Sequence, residues 1–275
     1  MPELPEVETV RRGLEKLVLG AQIENVKIYY PKIINGDPQS FQQELRGRTI
    51  ESITRRGKYL IFNFDTGISF VSHLRMEGKY FVENPKTPLE KHTHIVFTLS
   101  DGQQLRYNDV RKFGRMHLVK TVQVQQLPGL KKLGPEPTAA LFDKQLFYER
   151  LKHKKKMIKP ALLDQTIVAG LGNIYTDEVL WSSKINPQTP AAHLSKSEAD
   201  RLHDEIITEL ARATSQGGTT VFTYTDTFGH AGSFQKQLHA YGRKGQPCER
   251  CATPLKKIVV GQRGTTFCPQ CQKVK

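Results

Sequence analysis

The chain has 275 residues, of which 37% are hydrophobic and 25% charged, and its formal net charge is +14. These proportions are typical of a globular protein with two domains of ordinary size; the chain holds no apolar run long enough to span a membrane and no signal-peptide pattern, so we expect it in the cytosol. The excess of Lys and Arg indicates a polyanionic partner, with nucleic acid as the first candidate and an anionic membrane surface as the second.

The N-terminus offers a candidate nucleophile. The chain begins Met1-Pro2-Glu3, and we expect removal of Met1 because the next residue is small. Pro2 would then carry a secondary amine with a pKa of about 8, part of which is unprotonated near neutral pH and can attack an electrophilic carbon. The iminium that a proline nitrogen forms has no N–H and stays cationic, which favours elimination beside the attacked carbon. The alternative is that the Met-Pro start is an accident of sequence.

Helical periodicity predicts a first helix over residues 5–19, and eight short alternating segments follow it. Such closely spaced strands predict a β-sandwich or barrel with the helix packed at its edge. The segment 121–138 is rich in Gly and Pro and predicts a linker. The predicted strands cover residues 22–30, 49–55, 58–64, 68–73, 79–82, 93–99, 104–108 and 115–119.

Beyond residue 138 the pattern is helical. Helices are predicted over 157–164 and 176–182, and the connection between them contains Gly170 and Gly172. Two successive turns there would expose backbone N–H groups and Asn173 at a helix start, where a phosphate binds well. The pattern therefore predicts a helix–two-turn–helix, although a helical hairpin without a nucleic-acid role has the same signature. A further helix is expected after the capping box Ser195-x2-Glu198 and before Gly217-Gly218.

Basic clusters recur at predicted turns, and together they favour a positive groove that follows a nucleic-acid backbone over a set of solvated faces. In two short loops a large apolar residue, Met76 or Phe113, accompanies the charge. Each is either a core residue or one that enters a base stack and fills the space left by an extruded base. The clusters are Arg55-Arg56-Gly57-Lys58, Arg111-Lys112-Phe113-Gly114-Arg115, Lys152-His153-Lys154-Lys155-Lys156 and Arg243-Lys244.

All four cysteines lie near the C-terminus, as Cys248-x2-Cys251 and Cys268-x2-Cys271. This spacing predicts a zinc ribbon, in which four thiolates hold one structural Zn²⁺ with no open position for water. Two disulfides are the alternative, disfavoured in a cytosolic chain. Arg263 is expected at the tip of the intervening hairpin, between Gly261 and Gly264, as a phosphate ligand or a solvated turn residue.

Several motifs along the whole chain resemble those of the bacterial formamidopyrimidine-DNA glycosylase family, which removes 8-oxoguanine and ring-opened purines from DNA. The resemblance implies an α+β fold with a catalytic β-sandwich domain over 1–120, a linker over 121–138, a helix–two-turn–helix domain over 139–230 and a zinc ribbon over 231–275. The motifs are Pro2-Glu3-Leu4-Pro5-Glu6, Arg56-Gly57-Lys58-Tyr59, Ser72-His73-Leu74-Arg75-Met76, Asp109-Val110-Arg111-Lys112-Phe113-Gly114, Gly134-Pro135-Glu136-Pro137, Gly170-Leu171-Gly172-Asn173-Ile174-Tyr175 and Gln216-Gly217-Gly218-Thr219-Thr220, followed by the cysteines.

The resemblance also implies a division of catalytic labour. Pro2 would attack C1′ of the flipped, damaged nucleoside and displace the base, while Glu3 handles protons at the sugar. Lys58 would assist the β-elimination that breaks the 3′ phosphodiester. Arg263 would assist the δ-elimination that frees the 5′ phosphate. The partner would be double-stranded DNA with oxidised bases or abasic sites, bound by a monomer.

Four residues match DNA-contacting positions of the family: His92, Arg111, Lys154 and Asn173. Met76, Arg111 and Phe113 match the three that fill the gap and read the orphaned cytosine, whose O2 and N3 accept hydrogen bonds from an arginine. A lid over the damaged base would consist of Thr219, Thr220, Val221, Phe222, Thr223 and Tyr224, with Phe222 standing where many relatives have Arg or Lys.

Two alternatives to this function remain open. Endonuclease VIII-like relatives share the Pro-Glu start but prefer oxidised pyrimidines, and they typically have Gly where this chain has Leu4. A non-catalytic nucleic-acid-binding protein could keep the scaffold and the zinc ribbon, but it would need none of Pro2, Glu3 and Lys58.

Overall fold

The computed structural model describes residues 1–219 and 233–274, which divide into two compact units. The first unit contains residues 1–131 and 217–233, and the second contains 132–216 and 234–275. In the described part of the chain, no helix combines the length and apolar character needed to cross a membrane.

The first unit begins with α1, Leu4–Val18, whose apolar residues repeat at helical spacing and are buried. Nine strands and two short helices follow: β1 Ile23–Ile28, β2 Ile34–Asn35, α2 Pro38–Leu45, β3 Ile50–Arg56, β4 Tyr59–Phe64, β5 Ile68–His73, β6 Lys79–Glu83, β7 Thr93–Leu99, β8 Gln104–Asn108, β9 Arg115–Lys120 and α3 Pro128–Lys131.

These strands form a β-sandwich, as the sequence predicts. One sheet has the order β1-β7-β8-β6, and the other has the order β2-β9-β5-β4-β3. Aromatic rings from both sheets fill the core: the centroids of Phe62 and Phe70 are 4.2 Å apart, and those of Phe70 and Phe97 are 5.6 Å apart. Burial of each such ring stabilises the fold by roughly 2 kcal/mol.

The structure also differs from the sequence-based expectation in places. The two-residue strand β2 and the helix α2 were not predicted. α2 has a recognisable start, since Asp37 accepts a hydrogen bond from the Ser40 backbone N–H and Pro38 occupies the first turn. The segment expected as a linker contains a 3₁₀ helix, Thr121–Gln126, and α3.

The second unit combines helices with a β-hairpin. The predicted capping box at the start of its longest helix is confirmed, because Ser195 and Glu198 satisfy each other's backbone N–H groups. Its elements are α4 Lys144–Lys152, α5 Ile158–Leu162, α6 Asn173–Ser182, α7 Lys196–Ser215, β10 Lys256–Val260 and β11 Arg263–Phe267.

A buried carboxylate connects α6 to the chain that leads into the hairpin. Glu178 is fully buried and accepts backbone N–H groups from His239, Ala240 and Tyr241 at 2.7–2.9 Å. The ring of His239 also stacks on Trp181, with centroids 4.4 Å apart. Because a buried carboxylate needs such donors, these contacts fix the chain before the hairpin onto α6.

Candidate active site and nucleic-acid interface

The start of α1 fixes the candidate nucleophile. Pro2 is buried, and Glu3 is the N-cap residue of α1. The backbone N–H of Glu3 donates to Glu6 Oε2 at 2.8 Å, and the two glutamates form a capping box. Because this box satisfies donors that have no partner within the helix, it holds the backbone next to Pro2 in one conformation.

The amino group of the chain lies where its neutral form is favoured. With Met1 present, burial lowers the pKa of the terminal amine below its ordinary value of 8.0, and the charge of Lys58 lowers that pKa as well. The carboxylates of Glu3, Glu6 and Glu77 oppose this shift. The structure therefore brings Glu3 and Lys58, two residues predicted to act with Pro2, within electrostatic reach of the N-terminus.

Lys58 lies in a two-residue turn between β3 and β4. Arg56 pairs with Tyr59 across this hairpin, and Gly57 has a φ of 55°. A side chain at Gly57 would strain that backbone, so glycine is favoured where the chain reverses. Although it lies at the end of a hairpin, Lys58 is only 5% exposed.

Glu6 also contacts the first residue of the predicted lid. Its Oε1 accepts the backbone N–H of Thr219 at 2.7 Å and the hydroxyl of Thr219 at 3.1 Å. Gly218 has a φ of 71°, and an added Cβ there would lie 2.6 Å from the same oxygen. One buried carboxylate thus joins the start of α1 to Thr219. The other predicted lid residues, Thr220, Val221, Phe222, Thr223 and Tyr224, lie outside the described residues.

The three residues predicted to enter DNA lie on two loops of the first unit. Met76 is 37% exposed on the connection from β5 to β6, and Phe113 is 46% exposed on the connection from β8 to β9. Arg111 is exposed, and its guanidinium carbon lies 4.7 Å from the centroid of the Phe113 ring. Exposed apolar side chains of this size beside a cation suit insertion into a base stack.

His92 is joined to the loop that carries Arg111. The backbone carbonyl of His92, just before β7, accepts the N–H of Asp109 at 3.0 Å, and Asp109 Oδ1 accepts the N–H of Arg111 at 3.0 Å. Two predicted DNA contacts are therefore held together by one backbone segment.

The other predicted DNA contacts lie in the second unit. Lys154 is half-buried and forms a 3.1 Å ion pair with Asp164. A partly exposed pair of this kind stabilises a fold by only about 0–1 kcal/mol, so a phosphate can compete for the lysine. Asn173 is the first residue of α6; its Nδ2 donates to the Gly264 carbonyl at 3.0 Å, and its Oδ1 is buried with no hydrogen-bond partner in the described part of the chain.

The hairpin tip is anchored on the helices of the same unit. Lys159 is fully buried, donates to the Gly264 carbonyl at 3.0 Å and pairs with Asp177 at 2.6 Å. Gly261 and Gln262 form the turn with positive φ, so the exposed Arg263 begins β11 directly after the tip. Buried contacts behind an exposed guanidinium give that group a fixed base.

The four cysteines fit a zinc site. One Sγ from each of Cys248, Cys251, Cys268 and Cys271 lies within 4.8 Å of the others, and none of the four is in a disulfide. Tetrahedral Zn²⁺ with sulfur ligands at about 2.3 Å places the sulfurs roughly 3.8 Å apart. Hydrogen bonds from Thr253 lower the pKa of the Cys251 thiol to about 6, whereas burial and the neighbouring thiols raise the pKa of Cys271, so the metal itself must supply the charge that keeps all four as thiolates. The ribbon therefore holds one structural zinc ion.

Sequence reasoning missed five buried polar residues that support these sites. Glu6 had a detectable signal, because Glu3-x2-Glu6 has capping-box spacing. Asp109 acts locally as well, since its carboxylate accepts the N–H groups of Arg111 and Gly114. The remaining three, Tyr107, Lys159 and Asp177, act through contacts between distant parts of the chain, which no local pattern indicates.

Comparisons with known proteins agree with this arrangement. Three family models match the chain: the formamidopyrimidine-DNA glycosylase N-terminal domain over residues 1–116, the H2TH domain of the same enzymes over 133–225, and a zinc finger found in FPG and IleRS over 245–274. A formamidopyrimidine-DNA glycosylase of Ligilactobacillus salivarius is 61% identical over 275 residues, which cover 100% of both chains.

Solved structures share the fold. Lactococcus lactis Fpg in complex with DNA containing an abasic site has a TM-score of 0.95 and 48% identity, with 98% of this chain and 99% of that one covered. MutM in complex with DNA containing carbocyclic 8-oxo-G has a TM-score of 0.94 and 47% identity, covering 99% of this chain and 100% of that one. The chain belongs to the formamidopyrimidine-DNA glycosylase family.

Proposed function

We propose that this protein is a bifunctional DNA glycosylase and abasic-site lyase that removes oxidised purines, 8-oxoguanine and formamidopyrimidines, from duplex DNA. The observation that carries the proposal is the surroundings of the N-terminus: Pro2 is buried, burial and the charge of Lys58 lower the pKa of the terminal amine, and Glu3 supplies a carboxylate. A protein that only binds DNA has no need of this group. The family of the chain and its relatives in complex with damaged DNA support the choice of substrate.

The first step is displacement of the base. After removal of Met1, the Pro2 nitrogen uses its lone pair to attack C1′, and the bond from C1′ to the base breaks with its electron pair going to the base. The Pro2 nitrogen gives up its N–H proton, and the departing base takes up one proton. The C1′–O4′ bond then opens, O4′ takes a proton delivered by Glu3, and the nitrogen forms a cationic iminium with C1′. Because the iminium has no N–H to lose, it stays an electron acceptor for the next step.

Strand cleavage follows from that iminium. Loss of a proton from C2′ supplies the electron pair that breaks the C3′–O bond, and Lys58 assists this β-elimination. Loss of a C4′ proton then breaks the C5′–O bond, and Arg263 assists this δ-elimination by stabilising the departing phosphate with its guanidinium. Water releases the enzyme from the remaining sugar fragment.

The burial of the reacting residues requires the nucleotide to leave the helix. Glu3 is 2% exposed and Lys58 is 5% exposed, so a base inside a duplex would not reach them. Met76 and Phe113 fill the space that the nucleotide leaves, and Arg111 donates to the orphaned cytosine. The residues from Thr219 to Tyr224 cover the extruded base.

Four contacts to DNA hold the duplex, through His92, Arg111, Lys154 and Asn173. Zinc, held by the four cysteines, supplies fold stability to the hairpin that carries Arg263 and takes no part in the reaction. One copy of the chain acts on one duplex in the bacterial cytosol.

The experiment that tests the substrate class compares three duplexes: 8-oxoguanine opposite cytosine, thymine glycol opposite adenine, and undamaged DNA. Strand cleavage and free base are measured under single-turnover conditions with the zinc-loaded protein. We expect the 8-oxoguanine duplex to be cleaved at least tenfold faster than the pyrimidine duplex. This ratio corresponds to a difference in activation free energy of more than about 1.4 kcal/mol. The opposite ranking would indicate an endonuclease VIII-like specificity.

The variant that tests the chemistry is Glu3→Gln, because glutamine keeps the volume and an oxygen that can still cap α1. We expect it to bind the 8-oxoguanine duplex normally and to release base about 100-fold more slowly. Tight binding by the wild type with no cleavage of any duplex would instead support a non-catalytic binding protein.

A further inference from the structure

We infer that Tyr107 and Asp109 are positioning residues that hold two exposed loops as one rigid wedge, so that Met76 and Phe113 enter DNA together. The Met76 loop is defined as residues 74–78 and the Phe113 loop as residues 109–114. The inference rests on the proposed function, in which Met76 and Phe113 insert into DNA. What it adds is that the two insertions depend on each other.

The sheet topology places the two loops side by side. The Met76 loop leads from β5 in the five-stranded sheet to β6 in the four-stranded sheet, and the Phe113 loop leads from β8 back to β9. His73 pairs with Arg115, and Lys79 pairs with Asn108. Both ends of one loop are therefore hydrogen-bonded to the ends of the other, and the two loops cross between the sheets at the same end of the sandwich.

The Tyr107 hydroxyl lies between the loops. The Tyr107 side chain is fully buried, and a Cβ added to Gly78 or to Gly114 would overlap this hydroxyl. The Gly78 Cβ would also lie 2.7 Å from the Leu74 carbonyl, which already accepts the N–H of Gly78 at 2.9 Å. One glycine from each loop thus packs directly on the same oxygen, and a tyrosine ring has no freedom to move aside in a close-packed core.

Asp109 extends this contact into the Phe113 loop. Its carboxylate is fully buried; Oδ2 accepts the N–H of Gly114 at 2.7 Å and a long hydrogen bond from the Tyr107 hydroxyl at 3.4 Å, and Oδ1 accepts the N–H of Arg111 at 3.0 Å. The same side chain therefore fixes both ends of the segment that carries Phe113. Charge-assisted hydrogen bonds of this kind are strong in a buried site.

Each loop also contains a non-glycine residue in the left-handed region, Arg75 with φ of 54° and Lys112 with φ of 58°. Such a backbone persists only where its surroundings enforce it. His73 Nδ1 accepts the N–H of Arg75 at 2.9 Å, as Asp109 does for Arg111. Burial lowers the pKa of His73 to about 3, so its ring is neutral and Nδ1 can accept. In both loops, therefore, an exposed tip lies above a backbone segment that its hydrogen bonds hold in one conformation.

The test uses Tyr107→Phe, which removes the hydroxyl and keeps the ring. The matched control is Tyr80→Phe: Tyr80 is also buried, its ring centroid lies 5.1 Å from that of Tyr107, and its hydroxyl bonds Ser72 and not the loops. The measurement is the brightening of 2-aminopurine next to 8-oxoguanine, which reports unstacking, together with base release. Cleavage of a preformed abasic site is measured in parallel, because that step needs no base to be extruded.

We expect Tyr107→Phe to slow both unstacking and 8-oxoguanine release about tenfold, and to change abasic-site cleavage by less than about twofold. Tyr80→Phe should leave all three rates near those of the wild type. Phe113→Ala and Met76→Ala should be non-additive in the wild type and additive in the Tyr107→Phe background. Asp109→Asn, which keeps the side-chain volume but leaves only one acceptor oxygen for the N–H groups of Arg111 and Gly114, should reproduce the selective slowing if Tyr107→Phe folds poorly.

If the wild type cleaves the lesion and the rates of Tyr107→Phe and Tyr80→Phe are equal, this inference alone is overturned. Equal loss on the abasic site and on 8-oxoguanine would also overturn it, since that pattern indicates general damage to the fold. Failure of the wild type to cleave either DNA, or full activity of Phe113→Ala, would contradict the proposed function instead.

Discussion

Two hairpins of this protein each have a cation in or beside the turn. Both turns begin with a glycine, and the two glycines have the same φ. Gly57 and Gly261 both have a φ of 55°, and Lys58 and Arg263 follow them within two residues. Lys58 is 5% exposed, whereas Arg263 is exposed. Lys58 lies within its turn and Arg263 directly after its own, and one cation lies inside its unit while the other lies at the surface.

Because Lys58 is buried and Arg263 is exposed, water screens their charges to different extents. A buried charge is weakly screened, so Lys58 can change the pKa of the neighbouring amine within its own unit. An exposed guanidinium is screened by water until it meets a partner, so we propose that Arg263 acts only once phosphate is bound. In the proposed mechanism, buried Lys58 lies beside the nucleophile, and exposed Arg263 meets the phosphate of bound DNA.

The largest expected effect comes from the nucleophile. Pro2→Gly keeps a terminal amine but replaces the secondary amine with a primary one, whose imine can lose its proton. We expect covalent trapping on an 8-oxoguanine duplex to fall by roughly 100-fold or more, with DNA binding retained. Trapping is measured by borohydride reduction and gel shift. Pro38→Gly, at the first turn of α2, is the matched control and should trap like the wild type. Unchanged trapping in Pro2→Gly would contradict the assignment of Pro2.

The next effect concerns the base of the exposed hairpin. Cys268→Ser removes one thiolate from the zinc site, so we expect zinc content to fall and affinity for damaged duplex to drop about 10-fold to 100-fold. Metal analysis and fluorescence anisotropy measure the two quantities. A variant that loses zinc and keeps full affinity would show that the ribbon does not contact DNA.

Arg263→Gln separates the two cations more sharply. We expect base release to stay within about threefold of the wild type, while products of β-elimination accumulate at the expense of δ-elimination products. Product ends are resolved on denaturing gels. Lys256→Gln, another exposed cation of the same hairpin, should leave the product ratio unchanged. An unchanged product ratio in Arg263→Gln would remove Arg263 from the second elimination.

The smallest expected effect is a shift in pH dependence. Only the unprotonated amine attacks. Burial lowers the pKa of the terminal amine when Met1 is present, and we expect the same surroundings to lower that of the Pro2 amine, so trapping should rise with pH through an inflection below the ordinary pKa of a terminal amine. Lys58→Gln removes a positive charge that lowers this pKa, so its inflection should move to higher pH. Lys27→Gln, on the exposed part of β1, serves as control. A Lys58→Gln inflection at the wild-type pH would show that Lys58 does not act on the amine.

Local sequence patterns predict most of the sandwich. β5, β7 and β8 have the bounds that alternation indicates, since turn residues delimit each of them. α2 escaped because only Phe41 and Leu45 of that helix are buried, too few for a periodic signal. β2 escaped because its two residues gain order only by pairing with β9.

The supporting residues of the site depend on register and topology. In the sequence, Tyr107 is one of the alternating residues of β8 and has no distinguishing pattern. Only the pairing of β6 with β8 and of β5 with β9 brings two loops into contact with its hydroxyl. Arg263 was expected at the hairpin tip and begins β11 instead, because Gly261 and Gln262 form the turn. Motifs name the candidate chemical residues, whereas Tyr107, Lys159 and Asp177, which support them, become visible only in the fold.

The most direct test of the central claim is borohydride trapping of the purified protein on a duplex with one 8-oxoguanine opposite cytosine, followed by peptide mass spectrometry. The account predicts a reduced adduct between the Pro2 nitrogen and the sugar, in chains that lack Met1. An adduct on a lysine side chain, or none at all despite tight binding, would contradict it.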